Sequence, residues 1–97
     1  MSISPFMKFL INIIRLLEQR TVMVVHDIKI ALDCSINTTF EFGYPNLFSI
    51  LTAYEDLFNI NLGTTQERSE ITLVLNSECM YKYIYVCIMS NVFNTLL

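Results

Sequence analysis

The chain has no tryptophan, two glycines, two prolines and one histidine. So few breakers leave no Gly/Ser-rich or Pro-rich linker, and 97 residues fit one domain. The three cysteines, Cys34, Cys79 and Cys87, form no C-x-x-C pair. With a single histidine, His26, they lack the ligand set of a structural zinc site. Their odd number argues against a closed disulfide framework, and free thiols suit a reducing compartment, cytosol or nucleus. Positive charge is also scarce: six Lys and Arg against nine Asp and Glu, a net −3. A free-standing domain that gripped duplex DNA through its phosphates would carry a basic face, so no DNA-specific site is expected.

Apolar side chains are what the chain has in quantity, 54% hydrophobic against 15% charged. That is apolar for a soluble domain of this size. The excess points to a missing neighbour, a partner surface or a truncated chain. A domain this short buries about two-thirds of its unfolded surface, so its stability is modest.

The opening "MSISPFMKFLINIIRLLEQR" has no basic leader before its apolar run and no small-residue cleavage site, so it reads as a helix. Ser4 can cap the free N–H groups and Pro5 suits the first helical position. Phe6, Phe9, Leu10, Ile13 and Leu17 share one face; Lys8, Asn12, Arg15 and Gln19 share the opposite one. "TVMVV", residues 21–25, is short and β-branched and reads as extended. Asp27 is the expected cap of a second helix, "IKIALDC", with Ile28, Ala31 and Leu32 inward. "SINTTFEF", residues 35–42, reads as a loop. Gly43 permits a sharp turn and Pro45 is expected to open a third helix, buried through Leu47, Ile50, Leu51 and Tyr54. Its outer residues Ser49, Thr52 and Asp56 are polar without being basic.

The period then drops from 3.6 to 2. Phe58, Ile60 and Leu62 alternate with Asn59 and Asn61, and "EITLVL" repeats the pattern with Ile71, Leu73 and Leu75 on one face. Joined by the polar "GTTQERS", the two runs predict a long-looped β-hairpin. Three helices, a short extended segment and a hairpin make an α+β fold, a winged helix-turn-helix over residues 1–78. Residues 79–97 hold one charge, Lys82, and no Pro or Gly. They read first as an apolar helix packing on the domain, second as an unrelated terminus. A membrane anchor ranks third, because Ser90, Asn91 and Asn94 break the apolar stretch.

The order Phe42-Gly43-Tyr44-Pro45-Asn46-Leu47, then Ile50-Leu51, then Phe58-Asn59-Ile60, resembles the LOTUS domain, also called OST-HTH. The resemblance covers roughly residues 5–76, with "FMKFLINIIRLLEQR" and "EITLVL" where that family has its first helix and last strand. It is nearest to the repeated domains of the meiosis regulator and mRNA stability factor family; Tudor-domain germline proteins and Oskar carry the same module. Phe42 and Asn46 depart from the family's usual tyrosine and lysine, and the aromatic element common between its second and third helices is missing. The resemblance implies a non-enzymatic module without cofactor, acting in post-transcriptional mRNA regulation in germ cells, in meiosis and oogenesis. It implies a cytoplasmic place, including ribonucleoprotein granules. Short forms of the family are similar to RNA-binding modules, with guanine-rich and quadruplex RNA as ligands. Extended forms, with an added C-terminal helix, dock a Vasa-type DEAD-box RNA helicase.

The candidate RNA contacts are Lys8, Asn12, Arg15 and Gln19 on the first helix, Lys29 on the second, Tyr44 at the glycine turn and Arg68 in the wing. Lys and Arg pair with phosphates, Asn and Gln reach base edges, and aromatic rings stack bases. The plainer reading of the first-helix stripe is a solvated face. With so few charges the phosphate contribution is small and salt-sensitive; a guanine tetrad would ease this, because apolar or amide groups can meet it. Phe40, Phe42 and Tyr44 are more simply core, with Tyr44 expected to be the most exposed of the three. His26-Asp27 reads as a histidine beside a capping aspartate rather than a catalytic pair, and Cys34 as a half-buried thiol rather than a nucleophile.

Overall fold

The computed structural model describes residues 4–74. The expected C-terminal helix over residues 79–97 and the inward Leu75 lie outside the described residues. Among the described residues, four helices and a three-stranded antiparallel sheet form a small α+β fold, winged-helix-like in arrangement.

Helix α1 spans Pro5–Arg20. Ser4 caps it: its Oγ accepts the Met7 N–H at 3.1 Å, and Pro5 follows in the first turn. Leu10, Ile11, Ile13, Ile14 and Leu17 are buried, and Phe6 and Phe9 pack half-buried at the edge of the core. Each such burial contributes about 1.5–3 kcal/mol, so this stripe is the largest single contribution to the core. Thr21 ends the helix at φ 69 and ψ −58, where the Val22 N–H donates to the Arg20 carbonyl at 2.8 Å. That bond closes a γ-turn of the rare, strained hand about a β-branched residue.

Strand β1, Met23–Val24, is shorter than the extended segment expected over 21–25. Helix α2, Val25–Ala31, starts at once. The Val25 N–H donates to the Ser69 carbonyl at 3.1 Å, so a tertiary contact decides where the strand gives way. Asp27 is therefore in the first turn of α2 and not its cap; the cap position is Val24, which has no side-chain hydrogen bond. Val25 and Ile28 are the buried residues of α2, Leu32 is half-buried, and Ala31 is exposed, contrary to expectation.

Residues 35–42 are not a loop. Helix α3 spans Ile36–Glu41 and carries a capping box: Ser35 Oγ accepts the Thr38 N–H and Thr38 Oγ1 accepts the Ser35 N–H. Threonine takes the place that glutamate or glutamine usually fills in this motif. Gly43, at φ 86, turns the chain into α4, Leu47–Ala53. Asn46, not Pro45, starts that helix; its Oδ1 accepts the Ser49 N–H at 2.8 Å. Leu47, Ile50 and Leu51 are buried and Tyr54 half-buried, as the periodicity requires.

Strand β2, Phe58–Asn61, and strand β3, Glu70–Leu73, pair antiparallel with Phe58 opposite Leu73 and Ile60 opposite Ile71. Strand β3 is central, because β1 pairs on its other side with Met23 opposite Ile71. Phe58 and Ile71 are buried under α1 and α4 in one cluster, while Leu62, past the strand end, is 74% exposed and not inward. The wing between the strands holds a 3₁₀ turn, Gln66–Arg68. Buried Ser69 ties it: Gly63 N–H donates to Ser69 Oγ at 3.1 Å, and that hydroxyl donates to the Thr65 carbonyl at 3.2 Å.

Candidate nucleic-acid interface

Helix α1 presents Lys8, Asn12, Arg15 and Gln19 on its outer face, all four exposed. Their 4-3-4 spacing keeps them on one side over about 16 Å of helix. Charge is distributed unevenly along the described chain. The α1 segment holds Lys8, Arg15 and Arg20 against Glu18, a net +2. The rest of the described chain holds Lys29 and Arg68 against Asp27, Asp33, Glu41, Glu55, Asp56, Glu67 and Glu70, a net −5. From Pro5 to Leu17 there is no carboxylate. On a chain that is acidic elsewhere, the outer face of α1 thus carries two cations and two amides in water.

Lys29 and Arg68 lie at a second place, the corner where α2 meets the 3₁₀ turn of the wing. Lys29 Nζ donates to Glu67 Oε1 at 3.0 Å, and His26 Nδ1 stands 3.6 Å from Glu67 Oε2. Lys29 is therefore already paired, whereas Arg68 is exposed. His26 faces Glu67 across the corner, and no His26–Asp27 pair forms among the described ion pairs. Beside this corner lies a shallow depression of about 340 Å³ lined by His26, Lys29, Ile30, Asp33 and Cys34. Burial pushes the Cys34 thiol above its ordinary range, with nearby Lys29 opposing part of the rise, so it is a poor nucleophile. Among the described residues no group of His, Cys, Asp and Glu could hold a metal ion, and no helix is long and apolar enough to cross a membrane.

Tyr44 joins neither group. It stacks on Phe6 with centroids 5.7 Å apart and planes 11° apart, and Phe6 also meets Phe42 edge-on at 5.2 Å. One face of the Tyr44 ring is thereby taken. Burial, then a side-chain hydrogen bond with Tyr44, pushes the Tyr54 phenol above its ordinary range. The most exposed of the three aromatics is Phe40, at 57%, and not Tyr44. Phe40 and Ile36, 58% exposed, sit one turn apart on α3, and Ile30 on α2 is 66% exposed. The α3 pair is not legible from the sequence because α3 itself is not; the Ser35…Thr38 box was the signal available. On α4, Ser49 Oγ donates to Asn46 Oδ1 at 3.0 Å and Thr52 Oγ1 to the Ser49 carbonyl at 3.0 Å, so both hydroxyls are engaged locally.

Compared with known protein families, curated proteins and solved structures, the chain matches none.

Proposed function

We propose that this winged-helix-like domain is a LOTUS-type RNA-binding module of mRNA regulation, working in the cytoplasm and its ribonucleoprotein granules and meeting RNA with the outer face of α1. The observation that carries this reading is the charge asymmetry: α1 is net positive and free of carboxylates from Pro5 to Leu17, on a chain whose remainder is acidic. Two cations flanked by two amides suit a ligand recognised partly by phosphate and partly by base edges, and guanine-rich or quadruplex RNA offers both. Lys29 and Arg68 are secondary contacts at the α2–wing corner. Tyr44 supports the domain through its Phe6 stack, and its exposed edge is what remains for a base.

The test is fluorescence anisotropy with a guanine-quadruplex RNA and an unstructured control. Preference for the quadruplex is expected, with a salt slope of about −1 to −2, because two or three phosphates at most are neutralised. Lys8→Glu with Arg15→Glu should weaken binding about tenfold or more at low salt and flatten the slope. Equal weak binding of both RNAs, unchanged by the two substitutions, would end the proposal.

A second reading is a protein-docking module for a Vasa-type DEAD-box helicase. It is favoured by Ile36 and Phe40, both exposed and one turn apart on α3, an adjacent apolar pair of the kind that marks a docking surface, with exposed Ile30 on α2 as a further candidate. A pull-down with the helicase core, lost on Ile30→Asp and Phe40→Asp and kept on Lys8→Glu, would replace the first reading with this one.

A further inference from the structure

The α2–wing corner has a feature that RNA binding through α1 does not use. Two basic side chains on α2, one turn apart, converge on a single carboxylate carried in by the wing. Lys29 Nζ lies 3.0 Å from Glu67 Oε1 and His26 Nδ1 lies 3.6 Å from Glu67 Oε2, so each carboxylate oxygen has its own partner. Glu67 is 46% exposed and His26 58%, and the open depression beside them gives a ligand access. Arg68, exposed, follows Glu67 in the same 3₁₀ turn.

We propose that Lys29 and His26 form a phosphate-binding cradle that the wing keeps closed with its own carboxylate, Glu67. Two oxygens of a phosphate can take the places of the two carboxylate oxygens, and a lysine ammonium and an imidazole N–H donate equally to either. An incoming phosphate displaces the carboxylate and gains the Arg68 guanidinium on the wing side. Asp33, which also lines the depression, opposes anions there and weakens the site. Glu67 thus sets a threshold: its side chain turns away from Lys29 and His26 only for a ligand that outcompetes it, while the wing stays held to α2 by the Val25–Ser69 bond. A phosphate oxyanion is the chemistry recognised. It can come from free pyrophosphate or from an RNA backbone, and in the RNA case the proposal rests on the function proposed above.

The experiment uses the full chain, wild type, with Glu67→Gln, with Glu67→Ala, and with Glu67→Gln combined with Lys29→Gln. A half-exposed ion pair at the surface contributes little to folding, so these variants keep the fold, which circular dichroism checks. In the first arm, inorganic pyrophosphate is titrated while NMR follows the His26 ring and the α2 amides. Glu67→Gln and Glu67→Ala are expected to bind about three- to fivefold tighter than wild type, the scale of a released surface pair, and the double variant to lose the response. In the second arm, an unstructured RNA is titrated against salt; Glu67→Gln should steepen the slope by about 0.7, one phosphate contact on a single strand. A pyrophosphate response at His26 with no RNA binding in any variant would support the cradle as a free-phosphate site and remove the RNA reading. A His26 ring unmoved by pyrophosphate in both Glu67 variants, or an unchanged response after Lys29→Gln, would overturn the cradle whatever the RNA arm shows.

Discussion

Replacing Gly63 by alanine measures how tightly the wing is built. A Cβ at Gly63 would lie 2.5 Å from the Arg68 carbonyl oxygen and 2.7 Å from its carbon, with the Ser69 nitrogen at 3.1 Å. All three are backbone atoms, so no flexible side chain can give way; the wing turn itself has to move. Overpacking of this kind costs about 1–3 kcal/mol. The movement also strains the bond from the Gly63 N–H to Ser69 Oγ, 3.1 Å long, worth about 1 kcal/mol net. Together these give about 2–4 kcal/mol, a large part of a small domain's stability. Gly43→Ala is the control. Gly43 sits at φ 86 with nothing within 4 Å of its missing Cβ, so the cost there is conformational, about 1–2 kcal/mol, partly offset by a stiffer unfolded chain. Urea unfolding followed by circular dichroism should rank Gly63→Ala as clearly worse than Gly43→Ala, and amide exchange at Ser69 should speed up in the former only. Should Gly63→Ala unfold at the same urea concentration as the wild type, or later than Gly43→Ala, the close approach of Gly63 to Arg68 is not what holds the wing.

Ser35→Ala removes the capping box of α3 and should cost about 1 kcal/mol, read as a melting-point drop of about 4–8 °C and faster exchange at Thr38; an unmoved melting point would mean that α3 does not depend on its cap. Thr21→Gly relieves the γ-turn strain and should leave the melting point level or raise it by a few degrees, whereas glycine normally destabilises, and a clear drop would contradict the strain argument. Ile50→Ala, at a site with 0% exposure, should cost about 2–5 kcal/mol and leave the domain largely unfolded at body temperature, by the same urea assay. Because burial raises the Cys34 pKa, alkylation followed by site-resolved mass spectrometry should be slow at neutral pH and reach half-maximal rate above the ordinary thiol value. The sign for stability follows: Cys34 favours the fold while its thiol is protonated in both states, and that contribution falls as pH rises past the unfolded thiol's value toward the folded one. Fast alkylation at neutral pH would contradict it.

Helix α1 was legible because everything that makes it is local. Ser4, Pro5 and an apolar stripe at 3.6 spacing lie within one continuous stretch, and the structure puts Leu10, Ile13 and Leu17 in the core as the spacing requires. The β2–β3 hairpin was legible for the same reason, since period-2 alternation survives in Phe58 and Ile71. Helix α3 was missed because Thr38 and Thr39 are weak helix formers and only six residues are helical; Thr39 is buried with its hydroxyl bonded to the Ile36 carbonyl, which no local pattern announces. Of the candidate site, the α1 stripe could be read from spacing. Lys29 could be placed on a helix, but not that Glu67 would meet it.

The sequence by itself determined which stretches are helical or extended where the hydrophobic period is long and unbroken, and which side of α1 faces water, because those outcomes depend on neighbours a few residues away. Only the tertiary structure decided where β1 gives way to α2, through a bond to Ser69, why Tyr44 lies against Phe6 while Phe40 stays in water, and that the wing brings Glu67 between Lys29 and His26. Each of these needs two segments far apart in the chain to meet, and the free energy that brings them together is that of the whole core.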